Sequence, residues 1–364
     1  MAKFMRRYRI YKVIIIFVTF TAIIFAGYNS LSDIHSKDVK KEEYYTTTNV
    51  IEEIPIKLYK EDERCSEEIS YEQINTLFGM SDIEPDFKSD EQFSIAIVDS
   101  GIYPHEYLKD KIIASIDFVA NKELPYDDLG HGTSVSGIIS ALSDANLISL
   151  KVITSTDKVE VENLIEALEW IDENQQEYNI KVVNISIGVT INEKSQEIHR
   201  LCHCLAKKGV ILIASSGNKN GLSERFLPAD CKDVISVGSI GVDGEKYISS
   251  FSMSWIGENG YSVPSIYAYG ENIETLDSNN LYKGNEGEII TLVNSKHFES
   301  GTSFSAAVVS GLVCRFIQKY PLLSSEEIKK ELLNGENIFD SVILKEIPMT
   351  VYSRRDINEK HKNC

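Results

Sequence analysis

Short apolar runs alternate with amphipathic stretches through the middle of the chain. Residues 93–98 and 182–187 are apolar almost throughout, which is typical of strands buried on both faces. Residues 158–174 instead place apolar side chains on one face at helical spacing. This alternation predicts an α/β fold, with a mostly parallel sheet between two helical layers. The predicted strands are 93–98, 111–117, 147–153, 182–187, 210–214 and 234–237.

Helix signals fall between these strands and after them. A run of small and apolar residues follows His131 to about Leu142, and a helix over 195–208 is stopped by Gly209. The apolar run 308–320 predicts a buried helix closed by a proline. Ser324 and Glu327 form a capping box for a last helix, which ends at Asn334 and Gly335.

The first 27 residues have the form of a targeting segment. Five of the first 12 residues are lysine or arginine, and none of the 12 is acidic. Residues 13–26 are apolar apart from Thr19 and Thr21. This pattern fits a signal peptide or an N-terminal membrane anchor, and the sequence leaves both open. A buried helix of the domain is a third reading. With either targeting reading, we expect the chain beyond Tyr28 to lie outside the cytoplasm, and an anchor would make the membrane a partner.

The remaining chain divides by composition into three parts. Residues 28–80 are charged and lack sustained periodicity, so we expect a stalk or short propeptide, with a short helix over 65–80. Residues 81–340 carry the alternating pattern and form the main domain. Residues 341–364 are a C-terminal tail.

Charge and cysteine content limit the function classes. The formal net charge is −18 over 364 residues, which argues against nucleic-acid binding. Six cysteines follow no regular spacing, so no disulfide pairing is assigned from them. Cys314 falls inside the predicted helix over 308–320, where we expect a core thiol.

Three residue types used in serine catalysis occur in order along the domain. Asp99 follows the first buried strand, His131 opens a helix, and Ser303 lies where the apolar helix begins. Each has an ordinary structural explanation, as a turn residue or a helix cap. Because parallel strands end at one sheet edge, the residues that follow them lie close together. Their joint occurrence therefore favours catalysis.

The motifs around these residues resemble those of the subtilisin-like serine proteases, the subtilases. The similarity covers roughly residues 80–335, with Ala307 where the family usually has proline. The matching segments are 97–102, 131–137, 184–188, 216–218 and 301–307.

The resemblance implies a role for each matching residue. It makes Ser303 the nucleophile, His131 the general base and Asp99 the residue that orients the histidine. It makes the side chain of Asn218 an oxyanion donor. The segment that it implies for pairing with an extended substrate is Ser186, Ile187 and Gly188.

Departures from the family pattern refine these expectations. Val189 stands where many subtilases have a second glycine, which predicts a narrower specificity pocket. Residues 143–146 are too few for the family's calcium loop, so we expect no strong calcium site there and no cofactor. His199 and His203 share a helix face, as two zinc ligands would, but no third ligand is evident, so we expect no metal site.

Two acids just before His131 suggest a specificity. By analogy with kexin-like relatives, Asp127 and Asp128 would favour a basic residue at the second position before the cleaved bond. The alternative is an acidic turn that makes no contact with substrate.

Taken together, the sequence predicts a serine endopeptidase that is exported or membrane-tethered and acts on a peptide or protein outside the cytoplasm. Trimming of a secreted peptide precursor, as in lantibiotic leader proteases, competes with general degradation. A catalytically inactive subtilase-like domain that binds peptides is the alternative from another class.

Overall fold

A computed structural model gives the architecture of the domain. It describes residues 66–70, 72–73, 92–218, 225–257, 260–276, 296–334 and 344–345. The apolar segment 13–26, the remaining residues before 66 and the tail beyond 345 lie outside this set. Within the described part of the chain, no helix is long and apolar enough to cross a membrane.

The described residues form fifteen strands and five helices. The first eight strands are β1 (Ser94–Asp99), β2 (Ile112–Asp117), β3 (Asn146–Lys151), β4 (Ile180–Ile185), β5 (Val189–Thr190), β6 (Ile211–Ser215), β7 (Phe226–Leu227) and β8 (Val234–Asp243). The other strands are β9 (Glu245–Ile248), β10 (Trp255–Ile256), β11 (Ser262–Val263), β12 (Ile266–Tyr269), β13 (Ile273–Leu276), β14 (Lys296–Glu299) and β15 (Leu344–Lys345). The helices are α1 (His131–Leu142), α2 (Val161–Asn174), α3 (Ser195–Lys207), α4 (Thr302–Lys319) and α5 (Ser325–Asn334).

All six strands and all five helices that the sequence predicts within residues 81–340 are present. The strands that it missed are two to four residues long, too short for a periodic signal. The predicted capping box also forms, because Ser324 and Glu327 exchange hydrogen bonds between side chain and backbone at the start of α5.

The main sheet has the order β15-β12-β8-β6-β4-β1-β3-β2, with β9 paired to β8. Every pairing from β2 to β12 is parallel, whereas β9 and β15 add antiparallel edges. Strand β1 lies inside the sheet, between β3 and β4. Asp99 at its end is aligned with Lys151 at the end of β3. The carboxyl ends of the central strands therefore meet at one edge, as predicted.

Two hydrophobic cores cover the two faces of this sheet. Ile95 and Ile97 of β1 belong to the core that includes side chains of α1 and α4. Ala96 and Val98 belong to the other core, which includes side chains of α2 and α3. Because side chains alternate along a strand, β1 is buried on both sides. The three-layer α/β prediction is confirmed.

Residues 66–70 pack against the domain, although the sequence placed them in a stalk or propeptide. Ile69 is buried and forms a bridge with Ile273 of β13. The backbone N–H of Glu67 donates to the carbonyl of Val242 at 2.8 Å. The short helix predicted from residue 65 begins later, because the backbone of 66–70 hydrogen-bonds outside its own segment, whereas residues 72–73 are helical. Most of that predicted helix lies outside the described residues.

Candidate active site

The side chains of Asp99 and His131 meet at the carboxyl edge of the sheet. Asp99 is fully buried, and His131 Nδ1 lies 2.7 Å from its Oδ1. Gly130 has a φ of 95°, a left-handed conformation that turns the chain sharply into α1. A Cβ at position 132 would lie 2.1 Å from the carbonyl oxygen of Gly101, so only glycine lets α1 start this close to β1.

Asp127 organises the turn that presents His131. Its carboxylate accepts hydrogen bonds from the backbone N–H groups of Leu129, Gly130 and Thr133 at 2.7–3.2 Å. It also accepts from the hydroxyls of Thr133 and Ser100, at 2.7 and 2.8 Å. Asp127 is 2% exposed, so its carboxylate stabilises the turn and is not accessible to a substrate.

Asp128 is held by a buried lysine. Lys151 is 2% exposed, and its Nζ donates to Asp128 Oδ1 at 2.7 Å. The same ammonium donates to the carbonyls of Ser100 and Ile153. The expectation that Asp127 and Asp128 select a basic residue before the cleaved bond therefore loses its basis. The Asp127 carboxylate is hydrogen-bonded within the turn, and the charge of Asp128 is paired with Lys151.

Ser303 is the second residue of α4 and is buried against the end of β4. Its hydroxyl donates to the carbonyl of Ser186 at 3.2 Å, and the hydroxyl of Ser186 donates to the carbonyl of Ser303 at 3.1 Å. Its place in the first turn of a helix supplies a favourable field for an anion formed at the hydroxyl.

Asn218 is oriented by Thr302. The backbone N–H and the hydroxyl of Thr302 both donate to Asn218 Oδ1, each at 2.8 Å. Because the oxygen must be the acceptor in both bonds, the amide nitrogen remains as the donor. Asn218 is exposed and lines the same cleft as His131 and Ser303. The cleft has a volume of about 460 Å³.

Charges around His131 favour its protonated form. Burial alone would lower the pKa of the imidazole, but the charge and hydrogen bond of Asp99 raise it. Asp127 and Asp157 add to this effect, and together the acids raise the pKa of His131 to about 9. The role predicted for His131, which is to accept a proton from Ser303, requires the neutral imidazole and is therefore favoured in alkaline solution.

The segment expected to bind substrate leads away from the nucleophile. Strand β4 ends at Ile185, two residues earlier than predicted. Ser186 and Ile187 are buried, whereas Gly188 is exposed and lies against Phe226. Val189 pairs with Leu227 in the β5–β7 ladder. Binding of substrate by 186–188 and the narrower pocket at Val189 stay predictions.

Among the residues that the structure adds to the cleft, three have an aromatic or ionisable side chain that sequence reasoning did not single out. The ring of Phe304 lies 5.6 Å from the ring of His131, centroid to centroid. His297 and Glu299 reach the cleft from β14. The only signal available in the sequence was closeness to Ser303, which does not show where a side chain will lie.

The fold does not offer a calcium site after α1. The connection to β3 is residues 143–145. Lys111 Nζ donates to the carbonyls of Ser140 and Ser143 at 3.2 and 3.0 Å and to Asp144 Oδ1 at 3.2 Å. The oxygens at this helix end therefore already bind the ammonium group of Lys111. They do not fit a metal ion in addition to it.

Two of the remaining candidates for metal or disulfide chemistry are His203, which is paired, and Cys314, which is buried. His203 Nδ1 lies 3.0 Å from Asp233 Oδ2. No group of three His, Cys, Asp or Glu residues that could hold a metal occurs within the described ranges. Cys314 is fully buried, as predicted. The thiols at positions 202, 204, 231 and 314 are free, and the other two cysteines lie outside the described residues.

Comparison with known proteins agrees with this geometry. The profile of the subtilase family, Peptidase_S8, matches residues 90–346. Serine protease AprX of Bacillus subtilis (strain 168) is 29% identical over 268 residues, or 66% of this chain and 60% of the relative. Subtilisin DY of Bacillus licheniformis is 26% identical over 262 residues, or 68% of this chain and 85% of the relative. The chain thus spans less than two thirds of the length of AprX.

Two solved structures share the fold. A lanthipeptide protease superposes with a TM-score of 0.57 at 22% identity, covering 72% of this chain and 84% of the other. A cold adapted subtilisin-like serine proteinase superposes with a TM-score of 0.55 at 21% identity, covering 68% of this chain and 83% of the other.

Proposed function

Because the chain belongs to the subtilase family, we propose that it is a serine endopeptidase. The observation that carries the proposal is the hydrogen bond between Asp99 and His131, in a cleft that also holds Ser303 and Asn218. No metal or cofactor enters the reaction that we propose. The substrate is a peptide or a protein.

The reaction proceeds through an acyl-enzyme. The hydroxyl of Ser303 turns from the carbonyl of Ser186 toward His131 and attacks the scissile carbonyl. His131 accepts the proton of Ser303 and then gives it to the leaving amine. Asp99 keeps the imidazole in the required tautomer and stabilises its charged form. Water then releases the acyl group by the same steps in reverse order.

The developing oxyanion is stabilised by two donors. One is the amide nitrogen of Asn218, whose direction Thr302 fixes before substrate arrives. The other is the backbone N–H of Ser303 at the start of α4. Donors that are already oriented need no rearrangement during the reaction, which makes this contribution large.

An extended peptide is expected to bind along residues 186–188 by backbone hydrogen bonds. The mutual bonds between Ser186 and Ser303 support this placement, because they join the binding segment directly to the nucleophile. The residues before the cleaved bond would lie along this segment.

We place the activity outside the cytoplasm, in a secreted or membrane-tethered protein, because a basic and apolar segment precedes the domain. Within this assignment we favour trimming of a secreted peptide precursor over general degradation. The support is the short length of the domain over residues 81–340, together with an N-terminal segment for which a membrane anchor is one of the two targeting readings.

A fluorophosphonate probe tests the activity itself. We expect it to label the wild type at Ser303 and to leave Ser303→Ala unlabelled, since only an activated serine reacts. Hydrolysis of a peptide p-nitroanilide should disappear in the same variant. A folded wild type that is neither labelled nor active would instead support the inactive peptide-binding alternative.

A further inference from the structure

The cleft contains an acid that the triad chemistry does not use. Glu299 is the last residue of β14 and lines the cleft beside His131 and Ser303. Its carboxylate accepts a hydrogen bond from His297 Nε2, with Oε1 at 2.8 Å. The Glu299 side chain is 43% exposed, so a substrate can reach it.

The position of Glu299 places it near the substrate residues that follow the cleaved bond. Residues 186–188, which are expected to hold the peptide before the cleaved bond, do not line this cleft. A peptide that follows that segment and is attacked by Ser303 must place its continuation elsewhere. The cleft with Glu299 lies next to Ser303, and within the described part of the chain it offers space for the residues after the bond.

Glu299 carries a negative charge in this part of the cleft. The hydrogen bond from His297 and the positive charge of His131 lower the pKa of Glu299, against the effect of burial. The carboxylate is therefore ionised at neutral pH. Among the described residues that line the cleft, none is lysine or arginine, so no side chain of that kind competes for Glu299.

We propose that Glu299 is a specificity-determining residue that binds a lysine or arginine side chain at the first or second position after the cleaved bond. This rests on the proposed endopeptidase function. A partly exposed ion pair favours the cationic substrate by about fivefold. Salt screens the interaction, so the preference weakens as ionic strength rises.

Matched peptides test the proposal. Internally quenched peptides that differ only in having Lys, Gln or Glu after the cleaved bond are compared at low and moderate salt. Mass spectrometry verifies which bond is cleaved. We expect kcat/KM of the wild type to favour Lys by about fivefold at low salt, and Glu299→Gln to bring the ratio near one. Glu299→Lys should reverse the preference toward Glu.

Glu274 provides the control. It lies on the neighbouring strand β13, faces Lys296 at 3.4 Å and does not line the cleft. Glu274→Gln removes the same charge from the same hairpin, and we expect it to keep the wild-type ratio of Lys to Gln.

Each failure has a distinct meaning. Equal kcat/KM values for Lys and Gln in a wild type that the fluorophosphonate labels overturn this inference and leave the endopeptidase proposal standing. So does a preference that persists in both Glu299 variants. A wild type that neither reacts with the probe nor cleaves any peptide overturns both proposals.

Discussion

Thr302 holds Asn218 in place with two hydrogen bonds, one from its backbone N–H and one from its hydroxyl, both to Oδ1 at 2.8 Å. The residue just before Ser303, the nucleophile that we propose, thus sets the direction of the amide that would face the oxyanion. Catalysis depends on donors that are oriented before the reaction begins. This relationship therefore links the fold of the α4 start to the rate of the chemical step.

Asn218→Ala should lower kcat by about 10²–10³-fold with little change in KM, because the amide contacts the oxyanion and not the bound substrate. Thr302→Val removes one of the two orienting bonds and should cause a smaller loss of kcat. Steady-state kinetics on one peptide measures both. An unchanged kcat in Asn218→Ala would show that Asn218 is only a loop residue.

Ser303→Ala and His131→Ala should each abolish nearly all peptidase activity while the domain stays folded. The double variant should lose little more than either single variant, because the triad acts as a unit. The comparison requires kcat/KM of all three variants and circular dichroism to verify folding. Losses that add in the double variant would contradict the assignment.

Activity should rise with pH. Only neutral His131 can accept a proton, and the neighbouring acids raise its pKa to about 9. Below this value the neutral fraction grows about tenfold per pH unit, so kcat/KM should climb steeply from pH 7 and level off above pH 9. A profile of the free enzyme from pH 6 to 10 measures the midpoint.

Asp157 allows a test of whether nearby acids raise the pKa of His131. It is exposed and has a φ of 57°, which asparagine also tolerates. Asp157→Asn should move the midpoint of the pH profile down by about a few tenths of a pH unit. Glu169→Gln, an exposed acid of α2, should leave the midpoint unchanged. Equal shifts in the two variants would rule out a specific role for Asp157.

The ammonium group of Lys111 should stabilise the C-terminal end of α1 without a metal ion. Lys111→Met removes the bonds to the carbonyls of Ser140 and Ser143 and should cost about 1 kcal/mol of unfolding free energy. For a domain of this size that is a fall in Tm of about 2–4 °C. EGTA should leave the wild-type Tm unchanged. A large fall with EGTA would show that calcium stabilises another part of the domain.

The sequence by itself determined the α/β alternation and the order of the residues that we propose as catalytic. Buried strands such as 93–98 and amphipathic helices such as 158–174 differ in the local periodicity of their apolar residues. This periodicity indicates which side chains are buried without any knowledge of distant residues. Turns and helix starts restrict which residues can occur around Asp99, His131 and Ser303. The motifs at these positions can therefore be recognised from the sequence.

Only the tertiary structure decided which acids face the substrate cleft. Asp127 and Asp128 stand beside His131 in the chain, but backbone donors and the buried Lys151 occupy them. Glu299 reaches the cleft from a hairpin whose strand β14 pairs with β13. The reason is physical: whether a carboxylate is free depends on hydrogen-bond donors that arrive from distant segments, and sequence periodicity carries no record of them.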